Sequence, residues 1–159
     1  MISQLRLDEY YTEDLMIKAN PSYEPSARQR KEGKLNCEVG LAQMKGAAAR
    51  FKVGVSVSVE PAVDYPALDP YAINIKVVGF FSFQEPMPND AMQRMASMNG
   101  ANILLGIARG IVAQVTGTGP FGKYLLPPVN LVELFRKQTD KQPVKTTKTK
   151  PKVKRAKVR

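Results

Sequence analysis

Gly117 to Tyr124, GTGPFGKY, is the stretch whose spacing comes nearest to known chemistry. It satisfies G-x-G-x-x-G and almost satisfies G-x-x-x-x-G-K-[ST], the loops that cradle phosphates with backbone N–H groups. A phosphate cradle needs a strand before the loop and a helix after it, so that the helix N-terminus faces the anion. Here a helical pattern precedes the loop, YLLPP follows it, and Tyr124 stands where a magnesium-binding hydroxyl belongs. The spacing therefore reads as a bend. Other carriers of chemistry are few. The chain has no histidine, which removes the usual general base, the Ser–His and Cys–His pairs and the commonest metal ligand. Cys37 is the only cysteine, so neither an internal disulfide nor a thiolate zinc site can form. Asp8, Glu9, Glu13 and Asp14 cluster, and such a group reads as a solvated face or as a docking face for a basic partner. An enzyme is not expected, and neither is a cofactor or a metal.

Charge is as unevenly placed as chemistry. Of the net +10, all comes from the end of the chain. Residues 136–159 hold eleven Lys/Arg against Asp140 alone, leaving thirteen bases and thirteen acids in residues 1–135. The segment KTTKTKPKVKRAKVR is low in complexity, self-repelling and broken by proline, which predicts a basic disordered tail over 137–159. Its cations, Lys145, Lys148, Lys150, Lys152, Lys154 and Arg155, serve either as a solubilising extension or as an electrostatic contact to RNA, other nucleic acid or anionic surfaces. Without interleaved aromatics, base stacking is not expected there. The first residues carry no apolar run, and the apolar stretch Ile103 to Val115 is too short for a bilayer and contains Arg109. A soluble, cytoplasmic protein is expected, with one domain over residues 1–136.

The elements that would position these residues follow from hydrophobic period. Lys34–Met44, Arg50–Glu60 and Ala72–Phe83 alternate with period two, as half-buried antiparallel strands do. Glycine near 46 suits a hairpin between the first two, and Pro61, Pro66 and Pro70 lengthen the next connection. Leu5–Ile17 is a weaker strand, joined by a long proline-bearing segment, Asn20–Gly33, that is too long for a hairpin. Helical signals start near Asn89–Asp90, with Met92, Met95, Ala96 and Met98 as a flexible apolar edge. The main helix then carries apolar residues over about 200° of its circumference, roughly twice what a surface helix needs. Its remaining strip holds Gly106, Gly110 and Ala113 beside Arg109 and Gln114. Either the helix is buried in a monomer, or a subunit covers its second side. Gly117 stands where a left-handed residue would stop it. Asn130 and Glu133 have capping-box spacing for a last helix whose inner face is Leu131, Leu134 and Phe135.

Aromatic and methionine residues are the remaining resource. Tyr23, Phe80, Phe81, Phe83, Phe121, Tyr124, Phe135 and the Met92–Met98 group lie in or beside loops and strand ends. Several must fill the core. The rest suit a soft apolar groove, because such side chains repack around varied partners and apolar burial makes no sequence demand. Extended segments could also add to sheet edges.

In these residues the chain resembles the SecB family of export chaperones. ANILLGIARGIVAQVTGTGPFGKYLLPPVNLVELF is similar to the family's C-terminal signature, matching at Asn102, Ile103, Leu104, Ala108, Arg109, Gly119, Leu126, Pro128, Val129, Asn130, Leu134 and Phe135. YYTEDLMIKANP and VGFFSF are similar to its first and last strands. The resemblance implies an α+β fold: a four-stranded antiparallel sheet with two helices packed on one face. It also implies a homotetramer built as a dimer of dimers, with the long helix (Ile103, Gly106, Ile107, Gly110, Ile111) between subunits. The implied activity is ATP-independent holding of unfolded protein clients in apolar grooves, lined here by Tyr23, Phe121, Tyr124, Leu125, Leu126, Leu131 and Phe135. Handover to a SecA-type translocase motor is implied through an acidic sheet face. Asp14 matches one docking acid, whereas Lys18 and Asn74 occupy positions where other members carry glutamate, and the tail has the opposite sign from the family's usual one. Relatives dedicated to one client, such as those serving toxin–antitoxin systems, are the alternative, as is a nucleic-acid-associated protein acting through its tail.

Overall fold

A computed structural model describes residues 4–63 and 66–141, without the side chains of 138–141. The tail cations from Lys145 to Arg155 named above lie outside the described residues. Four strands, β1 (Leu5–Ala19), β2 (Lys34–Gln43), β3 (Arg50–Glu60) and β4 (Tyr71–Phe83), form one antiparallel sheet in the order β1-β4-β3-β2. Since β1 pairs with β4 and β2 pairs with β3, the Asn20–Gly33 segment must cross the end of the sheet, as its length requires.

Strict alternation decides which way each strand faces. On β3 the side chains Phe51, Val53, Val55, Val57 and Val59 are all buried, while their neighbours are not. Each such side chain contributes roughly 1.5–3 kcal/mol of burial, and a one-residue slip would turn all five outward, so register is firmly set. β1 reads less clearly in sequence because its pairing with β4 is irregular between Leu7 and Glu9 and again between Thr12 and Asp14. Each irregularity shifts which residues share a face and breaks the period.

The helical layer packs on the face that carries the β3 valines. Its long body is one continuous run: α1 (Asn89–Met95), a π-helical turn (Ala96–Gly100) and α2 (Ala101–Thr116), with right-handed backbone at every junction. Helix is continuous through Gly100, and the π turn takes up the irregularity there. This run passes close to the sheet at Gly79, where a Cβ would lie 2.8 Å from a Leu104 methyl. The short body is α3 (Leu131–Lys141). Asn130 caps it by accepting the Glu133 N–H at 3.2 Å. The Glu133 side chain pairs forward with Lys137, and the helix runs on to Lys141, past the end of the apolar spacing. The expected architecture, four antiparallel strands with two helical bodies on one face, is the one found.

Candidate functional site

The segment after α2 builds the site. Gly117 is not left-handed, as its place in the sequence predicts, but helical, with φ −58°. The chain reverses at Gly122 instead, where φ is +74° and glycine is the residue that tolerates it. The Thr116 hydroxyl donates to the Val112 carbonyl and accepts the Tyr124 N–H at 2.9 Å, folding the loop back onto the helix end. No strand leads into this loop and no helix leaves it, so the phosphate-cradle spacing is a bend.

That fold brings three of the expected site residues together. The Phe121 ring meets Tyr23 edge-on at 4.9 Å and Tyr71 at 5.8 Å, and Tyr124 meets Tyr71 at 6.4 Å. Tyr23 comes from the crossover, Phe121 and Tyr124 from the loop, and Tyr71 from the first residue of β4. Phe121 is 39% exposed, and Leu125 beside it is 65% exposed. Leu126 and Leu131 are placed differently: at 5% and 8% exposed they belong to the core. Their apolar type is the same as Leu125's, but backbone direction turns them inward. Phe135 sits apart, at a depression of about 620 Å³ lined with Ala91, Met95 and Met98 on the long helical body. Between these two places runs a pair of smaller depressions, of about 300 and 330 Å³. One is lined by Leu35, Leu68, Tyr124 and Pro127 together with Glu32, Lys34 and Asp69, the next by Leu35, Cys37, Val129 and Leu134 together with Glu133 and Lys137. A track of apolar side chains flanked by charged ones thus leads from Tyr124 past the β2 edge to α3.

Titration matters little here. The Tyr124 hydroxyl is pushed up to about 12, first by burial and then by the charge of Asp69, so it remains a donor and lies 3.4 Å from the Asp69 carboxylate. Burial, then Glu38, raises the Cys37 thiol, which keeps it protonated and unreactive. Sequence reasoning missed Tyr71, Asp69 and Thr116, whose polar atoms organise the site. Their only signal is a polar or hydroxyl-bearing residue just outside an apolar run.

The outer sheet face differs in kind. Asp14 accepts a hydrogen bond from Asn74 Nδ2 at 2.6 Å, and Glu13 is paired with Lys76. Asp8 takes Arg6 at 3.3 Å, Arg50 at 3.8 Å and the Ser82 hydroxyl at 2.9 Å. On α2, Ile103 is exposed, Ile107 and Ile111 are half-buried against the core, and Gly106 and Gly110 face open space. Tyr10 and Leu15 are exposed, and their registers opposite Gly79 and Ile75 place them on the helix-bearing face as well. Among the described residues no group of His, Cys, Asp or Glu is placed to hold a metal ion, and no helix is long and apolar enough to cross a membrane.

Comparison with known proteins gives a consistent picture. The family model described as preprotein translocase subunit SecB matches residues 2–142. A protein-export protein SecB from Afipia carboxidovorans is 25% identical over 93% of this chain and 90% of its own length. One from Hyphomonas neptunium is 26% identical over 84% and 78%. Among solved structures, the SecB-like chaperone of Mycobacterium tuberculosis, in complex with a peptide from an antitoxin, superposes with a TM-score of 0.60 at 14% identity, covering 80% of this chain and 91% of that one.

Proposed function

The chain belongs to the SecB family, a family of chaperones rather than enzymes, and from that premise we propose that it is an ATP-independent holdase. It captures extended, non-native polypeptide on the surface formed by Tyr23, Phe121, Tyr124 and Leu125, and along the apolar track toward Phe135. One observation carries this reading. Phe121 stays exposed although the buried Tyr71 ring packs against it, and Leu125 in the same loop is exposed as well. Large apolar groups left open beside a completed core mark an interaction surface. The shape is a track rather than a pocket, which suits an extended chain with apolar side chains at intervals. Leu126 and Leu131 support the surface from beneath.

Self-association belongs to the same proposal. The α2 stripe of Ile103, Gly106, Ile107, Gly110 and Ile111 presents apolar side chains next to glycines that allow a second backbone to approach, which favours a subunit contact within a homotetramer. Light scattering of the full chain would give four times the chain mass. A cytoplasmic site of action accords with the lone protonated thiol.

Client-dedicated capture is the second reading, and the outer sheet face favours it over docking to a SecA-type motor. Asp14 is already hydrogen-bonded by Asn74, and of the neighbouring acids Asp8 and Glu13 are matched by bases. Charge complementarity governs encounter, and a self-matched face offers a basic partner little. The test is suppression of aggregation of a chemically denatured protein, without nucleotide. The full chain suppresses it and Leu125→Asp does not; equal protection by both would remove the surface from the mechanism. Deleting residues 142–159 leaves suppression in place if the apolar surface does the holding, whereas loss of it would assign capture to the basic tail.

A further inference from the structure

Both walls of the aromatic surface hang on one short segment, Pro66 to Tyr71, and we propose that Tyr71, seconded by Asp69, is the positioning residue that sets the distance between those walls. The inference rests on the chaperone reading of this surface and adds the device that fixes its shape. The first wall is the crossover that carries Tyr23. It is held by Ala67 N–H donating to the Ser22 carbonyl and Leu68 N–H donating to the Lys31 carbonyl, both at 2.8 Å. Asp69 holds the same wall at both of its ends. Its carbonyl accepts Asn20 Nδ2 at 2.9 Å, and its carboxylate accepts the Gly33 N–H at 3.0 Å.

The second wall is the loop that carries Phe121, Tyr124 and Leu125. Tyr71 is 2% exposed, and its hydroxyl accepts the Phe121 N–H at 3.1 Å while donating to the Gly122 carbonyl at 3.0 Å. Tyr124 adds its own hydroxyl contact to Asp69. Edge-on ring contacts tolerate sliding, so the stack of Tyr23, Phe121, Tyr71 and Tyr124 does not by itself fix a spacing. Hydrogen bonds do, because they are directional, and stripping one partner from a buried pair leaves the other penalised. Space has been reserved for this hydroxyl. A Cβ on Gly119 would lie 2.6 Å from it, so only glycine there lets Tyr71 reach the loop backbone.

The experiment uses the full chain and reduced, carboxymethylated α-lactalbumin, a permanently unfolded probe. Tyr71→Phe keeps the ring and removes the hydroxyl. We expect it to bind the probe about tenfold more weakly and to expose the Phe121 amide to exchange about tenfold faster. Gly119→Ala should do the same in the native background, by displacing the hydroxyl, and should add less in the Tyr71→Phe background, where only the contacts to the Thr116 carbonyl at 3.1 Å and the ring edge at 3.2 Å remain. A residue that acted only on stability would instead give additive losses of affinity that follow the losses in Tm. Unchanged probe affinity in a folded Tyr71→Phe chain whose Phe121 amide has opened overturns the inference. If Tyr71→Phe does not fold, Asp69→Ala cuts the carboxylate's bonds to the Gly33 N–H in one wall and the Tyr124 hydroxyl in the other, and unchanged affinity in that variant together with unchanged affinity in Gly119→Ala overturns the inference. If the native chain binds no probe, the chaperone reading fails and takes this inference with it, while a protected Phe121 amide would still show the hydroxyl bridge as a purely structural feature.

Discussion

The two faces of the sheet are finished in opposite ways. On the helix-bearing face β3 and β4 are sealed by apolar packing, and apolar groups stay exposed on β1 as Tyr10 and Leu15 and in the loop after α2 as Phe121 and Leu125. On the outer face several charged side chains reach for their own neighbours, Asp8 for Arg6, Glu13 for Lys76 and Asp14 for Asn74, beside the exposed Tyr11 and Met16. The contrast teaches where recognition is to be sought. Apolar surface attracts without direction and accepts many sequences, as a holder of non-native chains requires. Charges already matched within one subunit exert little field on a partner.

The largest effect separating the two roles should come from neighbours in sequence. Leu126→Ala removes a core side chain, and an equilibrium urea curve should show about 2–5 kcal/mol of lost stability. Leu125→Asp, one residue earlier, should leave stability within about 0.5 kcal/mol. It should nevertheless weaken capture of an unfolded client about tenfold or more, since a charge now sits where apolar contact was made. If the two substitutions produced the same profile, the division between supporting core and open surface would be wrong.

Much of the fold is legible because it rests on period. β3 reads directly from five alternating apolar residues, and the α3 cap reads from Asn130. β1 reads poorly because two irregularities break its alternation. The expected surface was only partly legible. Tyr23, Phe121 and Tyr124 do meet, but hydrophobic type alone cannot tell Leu125 from Leu126, whose directions depend on the turn at Gly122. Tyr71 and Asp69 could not be read at all, because their roles lie in bonds to residues 36 to 55 positions away.

Outer-face glycine sharpens the comparison at the next level of effect. Gly54 pairs with Gly40 on one side and Val78 on the other, and a Cβ there would meet nothing within 4 Å. Its backbone is not in the left-handed region. Gly54→Thr should therefore stabilise the chain by about 0.5–1 kcal/mol, through lower unfolded-state entropy and better strand propensity. Client capture should not change. A loss of capture would show that clients use the outer face too, and the two faces would no longer divide the work.

The smallest effect belongs to the Glu13–Lys76 pair, and its sign can be worked out. The hydrogen bond from Lys76 lowers the Glu13 carboxyl below its ordinary value of 4.5, and the same bond raises Lys76 above 10.5. A lowered acid contributes stability above its unfolded pKa and loses it as pH falls through the lowered value. A raised base contributes fully below its unfolded pKa and loses it as pH rises through the raised value. The pair therefore acts across the neutral range and fades at both ends. Both side chains are well exposed, so water and salt screen them, the more so at 0.15 M, where the Debye length is about 8 Å. Glu13→Gln should lower the urea midpoint slightly at pH 7, with the gap from the native chain closing at acid pH and in high salt. Client capture should be the same in both proteins under all these conditions, because it draws on apolar area that protons and salt do not neutralise. A gap that survives acid would make the Glu13 contribution one of packing; a change in capture would mean that the outer face's charges, self-matched as they are, still guide the client.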